Sequence, residues 1–200
     1  MMKLMIPPMV DFATGSLSGA ELVEKCTRLA DLHGLFAEPA AEAEVDPQTV
    51  LYRVAMLPSS GVEGDLNMGV THLEAGRIGS EFFMTRGHIH ARAEQAEYYF
   101  GLCGRGLLLL QDMAGVCRLE QVFPGSVHHI PGHVAHRLVN TGETQLSAMA
   151  VWPAIAGHDY RLMAERGVWP AGGRREGRGT LCCEQRGECL NHLTISLHGS

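Results

Sequence analysis

The stretch TRGHIHARAEQAEYY, residues 85–99, carries the pattern from which the rest of the chain is interpreted. His88 and His90 are two residues apart, so an extended backbone turns both imidazoles to the same side. Glu97 begins the next apolar strand, and His136 lies in a later one. Three imidazoles and one carboxylate suit Fe(II), Mn(II), Zn(II), Ni(II) or Co(II) better than Mg or Ca. The sequence therefore predicts one divalent transition-metal site per chain.

Short apolar or alternating segments surround these candidate ligands, and turn residues such as Pro124-Gly125 separate them. Many glycines (24) with few aromatic residues (6%) also favour a turn-rich chain. Regularly spaced short strands are typical of a sandwich or barrel, so we expect a mainly β, jelly-roll-like barrel. The predicted strands cover residues 50–56, 67–73, 80–86, 96–102, 107–112, 117–123, 126–131, 136–140 and 145–152.

The first 48 residues are expected to contribute one helix packed on the barrel. Ser18 and Glu21 have the spacing of a capping box, and Gly34 stands where a C-terminal cap would. Between them, leucine and cysteine recur at helical spacing, which predicts one apolar face. That face is made of Leu22, Cys26, Leu29, Leu32 and Leu35.

Residues 169–200 are rich in glycine, arginine and cysteine, and we expect a loose C-terminal tail after a domain of residues 1–168. Residues 190–197 are an alternative terminal strand. A second alternative is a metal site in the tail, although zinc sites usually show closer paired spacing. Its candidate ligands are Cys182, Cys183, Cys189 and His192.

Composition narrows the classes of function. The 200 residues are 46% hydrophobic, which fits one globular domain. A net charge of −6 argues against a binder of nucleic-acid phosphates. No apolar run approaches the roughly 18 residues of a membrane span, and MMKLMIPPMV does not read as a signal peptide. We therefore expect a cytoplasmic protein with no membrane or nucleic-acid partner and with reduced cysteines.

The motif around residues 85–99, together with PGSVHHIPGHVAHRLVNTG (124–142), resembles the two motifs of cupins. The six-residue gap between His90 and Glu97 is longer than usual for cupins. This gap, with EGDLN (63–67) and AGHDY (156–160), is similar to the cupin-type phosphoglucose isomerases of archaea and some bacteria. The resemblance spans residues 1–168 and implies a cupin barrel that interconverts glucose 6-phosphate and fructose 6-phosphate.

The resemblance also implies residue roles. His88, His90, Glu97 and His136 would surround the metal, with Fe(II) favoured over Mn, Ni, Zn or Co, and Glu97 is the candidate base. Thr71, Thr85 and Gly87 would bind the substrate phosphate, and Trp152 stands where the family has tyrosine. Tyr99, His158 and Tyr160 match positions that line the site. A homodimer is expected, because cupins of this size commonly pair through strands.

Three alternatives to this isomerase stay open: a metal-dependent dioxygenase, an isomerase or epimerase of another sugar phosphate, and a non-enzymatic cupin that binds sugar or metal. The remaining histidines of the strand region are expected to be strand or rim residues; they are His72, His128, His129 and His133. Arg86 and Arg92 are expected either to add positive potential at the mouth of the site or to be solvated surface residues.

Overall fold

The structure is a computed structural model, and it describes residue 2 and residues 4–160. The predicted tail at 169–200, its candidate metal ligands and the strand at 190–197 lie outside the described residues. The strands are β1 (Met9–Val10), β2 (Leu17–Ser18), β3 (Val23–Arg28), β4 (Val50–Met56), β5 (Leu66–Leu73), β6 (Arg77–Ile78), β7 (Glu81–Phe82), β8 (Glu97–Cys103), β9 (Gly106–Gln111), β10 (Cys117–Val122), β11 (Val127–Ile130), β12 (Ala135–Val139) and β13 (Leu146–Pro153). A 3-10 turn (Leu29–Leu32) and a short helix α1 (Pro39–Ala43) lie between β3 and β4. Within the described residues, no helix is long and apolar enough to span a bilayer.

Two antiparallel sheets make up most of the fold. A six-stranded sheet has the order β11-β8-β13-β5-β4-β3, and a three-stranded sheet has the order β10-β9-β12. Apolar side chains of the two sheets meet in one core, in which Leu51, Leu108 and Leu146 have no exposed surface. The mainly β class predicted from the sequence is confirmed.

Eight of the predicted strands form within one or two residues of their expected limits. The segment 80–86 differs, because only Glu81–Phe82 form a strand there and Met84 makes an isolated bridge to Val139. Beyond Met84 the chain stays beside β12, because the backbone N–H of Thr85 donates to the carbonyl of Leu138 at 2.9 Å. Gly87 then makes a left-handed turn, with φ of 74°, before the bridge between His88 and His136. This turn directs the following histidines towards β12.

The predicted N-terminal helix is wrong. Residues 23–28 form β3, which pairs with β4 from Val23 opposite Met56 to Arg28 opposite Val50. Pairing along a sheet edge outweighs local helical periodicity here, because the ladder satisfies the backbone and covers the sheet at once. Within the span of the predicted helix, residues 18–34, only the 3-10 turn is helical, and it buries Leu29 and Leu32.

The start of the helical turn is capped by a different residue from the one that the sequence predicts. The carboxylate of Asp31, not Glu21, accepts the backbone N–H of Arg28 at 2.8 Å and caps the start of the 3-10 turn. Gly34, with φ of 76°, does follow the helical residues, as a C-terminal cap would.

Candidate metal and substrate site

A cavity of about 230 Å³ opens at one end of the barrel, between the two sheets. Glu97 of β8 and His136 of β12 reach it from opposite sheets. The segment that carries His88 closes one side through an antiparallel bridge to β12. In that bridge, the backbone N–H of His88 donates to the carbonyl of His136 at 3.1 Å, and the reverse bond measures 2.9 Å. The bridge explains how residues 48 positions apart in the chain come to share one site.

Four buried side-chain atoms converge beside this cavity. Oε1 of Glu97 lies 2.6 Å from Nε2 of His136 and 3.3 Å from Nε2 of His90. Ligand atoms of His88, Glu97 and His136 all lie within 4.8 Å of one another. Among the described residues, none of these three Nε2 atoms nor Oε1 has a hydrogen-bond partner of acceptable geometry. Buried polar atoms without partners are costly, so such a cluster needs an occupant.

Main-chain carbonyls orient two of the imidazoles. Nδ1 of His90 lies 2.8 Å from the carbonyl of Gln95, and Nδ1 of His136 lies 3.3 Å from the carbonyl of Val134. A carbonyl can only accept, so each Nδ1 carries the proton. In the neutral imidazole, each Nε2 therefore directs a lone pair at the centre of the cluster, as histidine ligands of metals do.

The charges of the cluster suit a cation. Burial lowers the pKa of His88 well below its usual value, and the neighbouring imidazoles lower it further. Burial alone would raise the pKa of Glu97, but His136 and His90 outweigh it and hold the carboxyl ionised. Burial alone would lower the pKa of His90, yet Glu97 raises it. A carboxylate among imidazole lone pairs is the donor set of a divalent transition metal, so the residues present fit such an ion.

A second wall of the cavity comes from the segment 156–160. Its backbone pairs with the histidine segment, because the N–H of Asp159 donates to the carbonyl of Ile89 at 2.8 Å. This pairing sets the His158 ring 4.3 Å from the ring of His88, and Tyr160 stacks on His158 at 5.9 Å. Burial lowers the pKa of His158, so a neutral imidazole faces the cavity.

Tyr99 lies deeper in the barrel, with its ring 5.7 Å from that of His136. Burial raises its pKa well above the usual value, and the nearby Glu97 adds to the effect. The phenol therefore keeps its proton at neutral pH and can donate a hydrogen bond. Tyr99, His158 and Tyr160 all line the cavity.

The third wall carries hydroxyl and N–H groups. Thr71 and Thr85 both line the cavity with Gly87 and Trp152. The hydroxyl oxygen of Thr85 accepts the backbone N–H of Leu138 at 3.1 Å, which leaves its own proton free to donate. Trp152 is nearly buried, with 7% of its surface exposed, and its indole ring packs over Gly69. The structure thus brings every site residue predicted from the sequence to one cavity or to its edge.

Comparison with known proteins gives the family. A sequence model described as Glucose-6-phosphate isomerase (GPI) matches residues 26–178. The chain is 41% identical over 162 residues to the glucose-6-phosphate isomerase of Thermococcus litoralis, covering 79% of this chain and 83% of that protein. The glucose-6-phosphate isomerase of Pyrococcus furiosus is also 41% identical over 162 residues, covering 79% of this chain and 84% of that protein.

The chain belongs to the glucose-6-phosphate isomerase family. Among solved structures, an oxalate decarboxylase of B. subtilis is 16% identical, with a TM-score of 0.41 over 51% of this chain and 25% of that one.

Two polar residues that line the cavity of this family member, besides the arginine already considered, are not predicted from its sequence. Tyr52 and Lys25 both face the cavity. Tyr52 stands two positions before Val54 in a strand whose alternate residues face inward, so alternation was the available signal. No signal in the sequence indicates Lys25, because a helix is predicted where β3 pairs with β4 and turns this side chain to the cavity.

The four histidines of the strand region that were expected to be strand or rim residues lie outside the cluster in this isomerase-family chain. His72 is bonded through Nδ1 to the hydroxyl of Ser147 at 2.8 Å. His128 lies between Glu120, at 2.7 Å, and the hydroxyl of Ser126, at 2.9 Å. The remaining two are His129, which is exposed on β11, and His133, whose φ is 63°.

The two arginines considered in the sequence differ in position. Arg86 lines the cavity, donates to the carbonyl of Asp31 and lies over the ring of Tyr160 at 5.6 Å. Arg92 lies on the surface, 3.9 Å from the carboxylate of Glu63.

Proposed function

We propose that this chain interconverts glucose 6-phosphate and fructose 6-phosphate at one divalent transition-metal ion. The observation that carries the proposal is a cluster of four buried ligand atoms that have no hydrogen-bond partner among the described residues, beside a cavity that Thr71 and Thr85 also line. Membership of the glucose-6-phosphate isomerase family supports the same reaction. The proposed ligands are His88, His90, Glu97 and His136, and Fe(II) is the favoured ion.

Isomerisation moves a hydrogen between C1 and C2 of the sugar. A bound divalent ion supplies Lewis-acid polarisation of the carbonyl and of the adjacent hydroxyl. Glu97 is ionised and has a second carboxylate oxygen, so it is our candidate to take a proton from one carbon and return it to the other. A hydride shift between the two carbons is the alternative, and it requires no such base.

The neutral side chains of the cavity have complementary roles in this proposal. His158 has a depressed pKa and can accept or return the proton that moves when the sugar ring opens. Tyr99 keeps its phenol proton and donates a hydrogen bond to a substrate oxygen. Thr71, Thr85 and the backbone N–H of Gly87 hold the phosphate, while Trp152 and Tyr160 complete the walls.

We also propose a cytoplasmic homodimer. β11 is an edge strand of the six-stranded sheet, so its outer backbone groups are available to a second chain. Val127 on this strand is 60% exposed, and Tyr98 on the neighbouring strand is 48% exposed. Light scattering of the wild type and of Val127→Glu tests this point: a dimer that the substitution splits supports it, and a monomeric wild type contradicts it.

The test of function is a coupled assay on metal-depleted protein. Fe(II), Mn(II), Ni(II), Co(II) and Zn(II) are added back separately, fructose 6-phosphate is supplied, and glucose 6-phosphate is detected through an NADP-linked dehydrogenase. We expect turnover that depends on the metal and is lost in His88→Ala and in Glu97→Gln. Arg105→Met is the control, because Arg105 lies in the exposed turn between β8 and β9, away from the cavity.

Tight metal binding without turnover by any ion would contradict the proposal. It would favour another metal cupin enzyme, such as a dioxygenase or an isomerase or epimerase of a different sugar phosphate. If such a protein bound sugar without converting it, a non-enzymatic cupin would be favoured instead.

A further inference from the structure

Lys25 stands at the mouth of the cavity, on the same wall as the candidate phosphate-binding residues. In the sheet, Lys25 is directly opposite Val54, and Val54 is directly opposite Thr71. Directly opposed residues of an antiparallel ladder share one face, and all three residues line the cavity. The helix predicted for this segment would not place Lys25 in this ladder.

The lysine side chain is long enough to reach the phosphate wall. Neighbouring strands are about 4.8 Å apart, so Lys25 and Thr71 are separated by roughly 10 Å of sheet. A lysine stem of four carbons covers about one strand spacing, and it packs along apolar surface while its ammonium stays in water. Val54 provides that apolar surface, so the ammonium can lie over Val54, about one strand spacing from Thr71, where a phosphate bound at Thr71 would meet it.

The charge of Lys25 has no ion-pair partner within the part of the chain that the structure describes. Among the described residues, no ion pair or hydrogen bond of its side chain is found, and Glu97 is the only acidic residue lining the cavity. Neighbouring Glu24 projects from the opposite face of β3 and acts on His72. The charge of Lys25 is nevertheless felt inside the cavity, at His158.

Besides Lys25, Arg86 is the one cationic side chain among the described residues that line the cavity, so it supplies one positive charge. One of its N–H groups is bonded to the carbonyl of Asp31, and its guanidinium lies over the ring of Tyr160. Trp152 has a single N–H donor, and the threonines are neutral. A phosphate monoester carries three terminal oxygens and close to two negative charges at neutral pH.

We infer that Lys25 is a specificity-determining residue whose ammonium contacts the phosphate of the incoming sugar phosphate. This inference rests on the proposed function for the identity of the substrate, but the ligand chemistry it requires is only a phosphate monoester. Lys25 acts in binding and not in the hydrogen transfer, because it is not among the residues that form the metal cluster and it enters the cavity from the exposed edge strand β3. It therefore selects phosphorylated over neutral sugars.

Lys25→Met keeps the stem and removes the charge, and Lys25→Arg keeps the charge. We expect Lys25→Met to raise KM for fructose 6-phosphate about tenfold, a change of about 1.4 kcal/mol, with kcat changed less than twofold. Lys25→Arg should restore most of the affinity. Lys25 is exposed on an edge strand, so we expect both variants to fold. Thermal unfolding of each variant checks this.

A binding measurement separates this inference from the proposed function. Calorimetric titration with 6-phosphogluconate, over a range of salt concentrations, needs no turnover. We expect the wild type and Arg105→Met to lose affinity with salt more steeply than Lys25→Met, because a cation–phosphate contact is screened by ions. A merely structural role would leave that slope unchanged.

The outcomes are distinct. If the wild type shows no isomerase activity but Lys25→Met weakens 6-phosphogluconate binding and flattens its salt dependence, the inference stands without the proposed reaction. Equal affinity and equal slope in the wild type and Lys25→Met would overturn it. A loss in kcat with unchanged KM would overturn it as well.

Discussion

Asn140 connects the two sheets at the end of β12, and its removal tests how the barrel is held together. Its side-chain amide donates to the carbonyl of Leu73, on β5 of the opposite sheet, and to that of Thr144, both at 2.9 Å. Its side-chain oxygen accepts the N–H of Gly142 at 3.0 Å. The residue has no exposed surface. Asn140→Ala therefore leaves two carbonyls and one N–H without their partner.

The magnitude follows from these three bonds. A buried hydrogen bond contributes about 1 kcal/mol net, and a buried group left unsatisfied costs about 1–3 kcal/mol. Because some of the freed groups will gain water, we expect Asn140→Ala to lower the free energy of unfolding by about 3–4 kcal/mol. For a chain of this size that corresponds to a fall in Tm of roughly 6–16 °C.

Urea titration followed by circular dichroism measures this change, with Asn67→Ala as the matched control. Asn67 is partly exposed, and its side-chain oxygen accepts one bond, from the Ser59 hydroxyl at 2.6 Å. The control should lose less than about 1 kcal/mol. A loss below 1 kcal/mol in Asn140→Ala would show that the sheets do not depend on this amide, and the reasoning from buried bonds would fail.

Three further predictions follow from the site and the core. Leu108→Ala removes a side chain with no exposed surface, so we expect a loss of about 2–5 kcal/mol in the same titration, and a loss under 1 kcal/mol would contradict the described core. Burial lowers the pKa of His72 below the usual 6.5, so the unfolded chain binds the proton more readily than the folded chain. The free energy of unfolding should therefore fall as the pH drops below about 6.5, and it should fall more in the wild type than in His72→Gln. Equal falls in the two proteins would refute this reasoning. Turnover in deuterium oxide should place deuterium on C1 or C2 of the product if Glu97 relays a proton, and product without carbon-bound deuterium would favour a hydride shift.

Local pattern was sufficient for the strands and for the ligand types. Residues 106–111 form a short apolar run close to turn glycines. Such a run is typical of a strand that is buried on both faces, and all six residues are buried in the structure. The two-residue spacing of His88 and His90 turns their rings towards a common centre once the backbone is extended, with ring centroids 5.6 Å apart. These properties depend on neighbours along the chain, so the sequence by itself determined them.

Tertiary contacts decided the rest. The apolar periodicity over residues 22–35 predicts a helix. Val23–Arg28 form a strand instead, because β4 lies alongside them and pairs with their backbone. The same pairing places Lys25 on the cavity wall. His158 reaches His88 only because Asp159 pairs with Ile89. Such contacts join segments distant in sequence, and their free energy depends on which surfaces meet after folding, which no local pattern encodes.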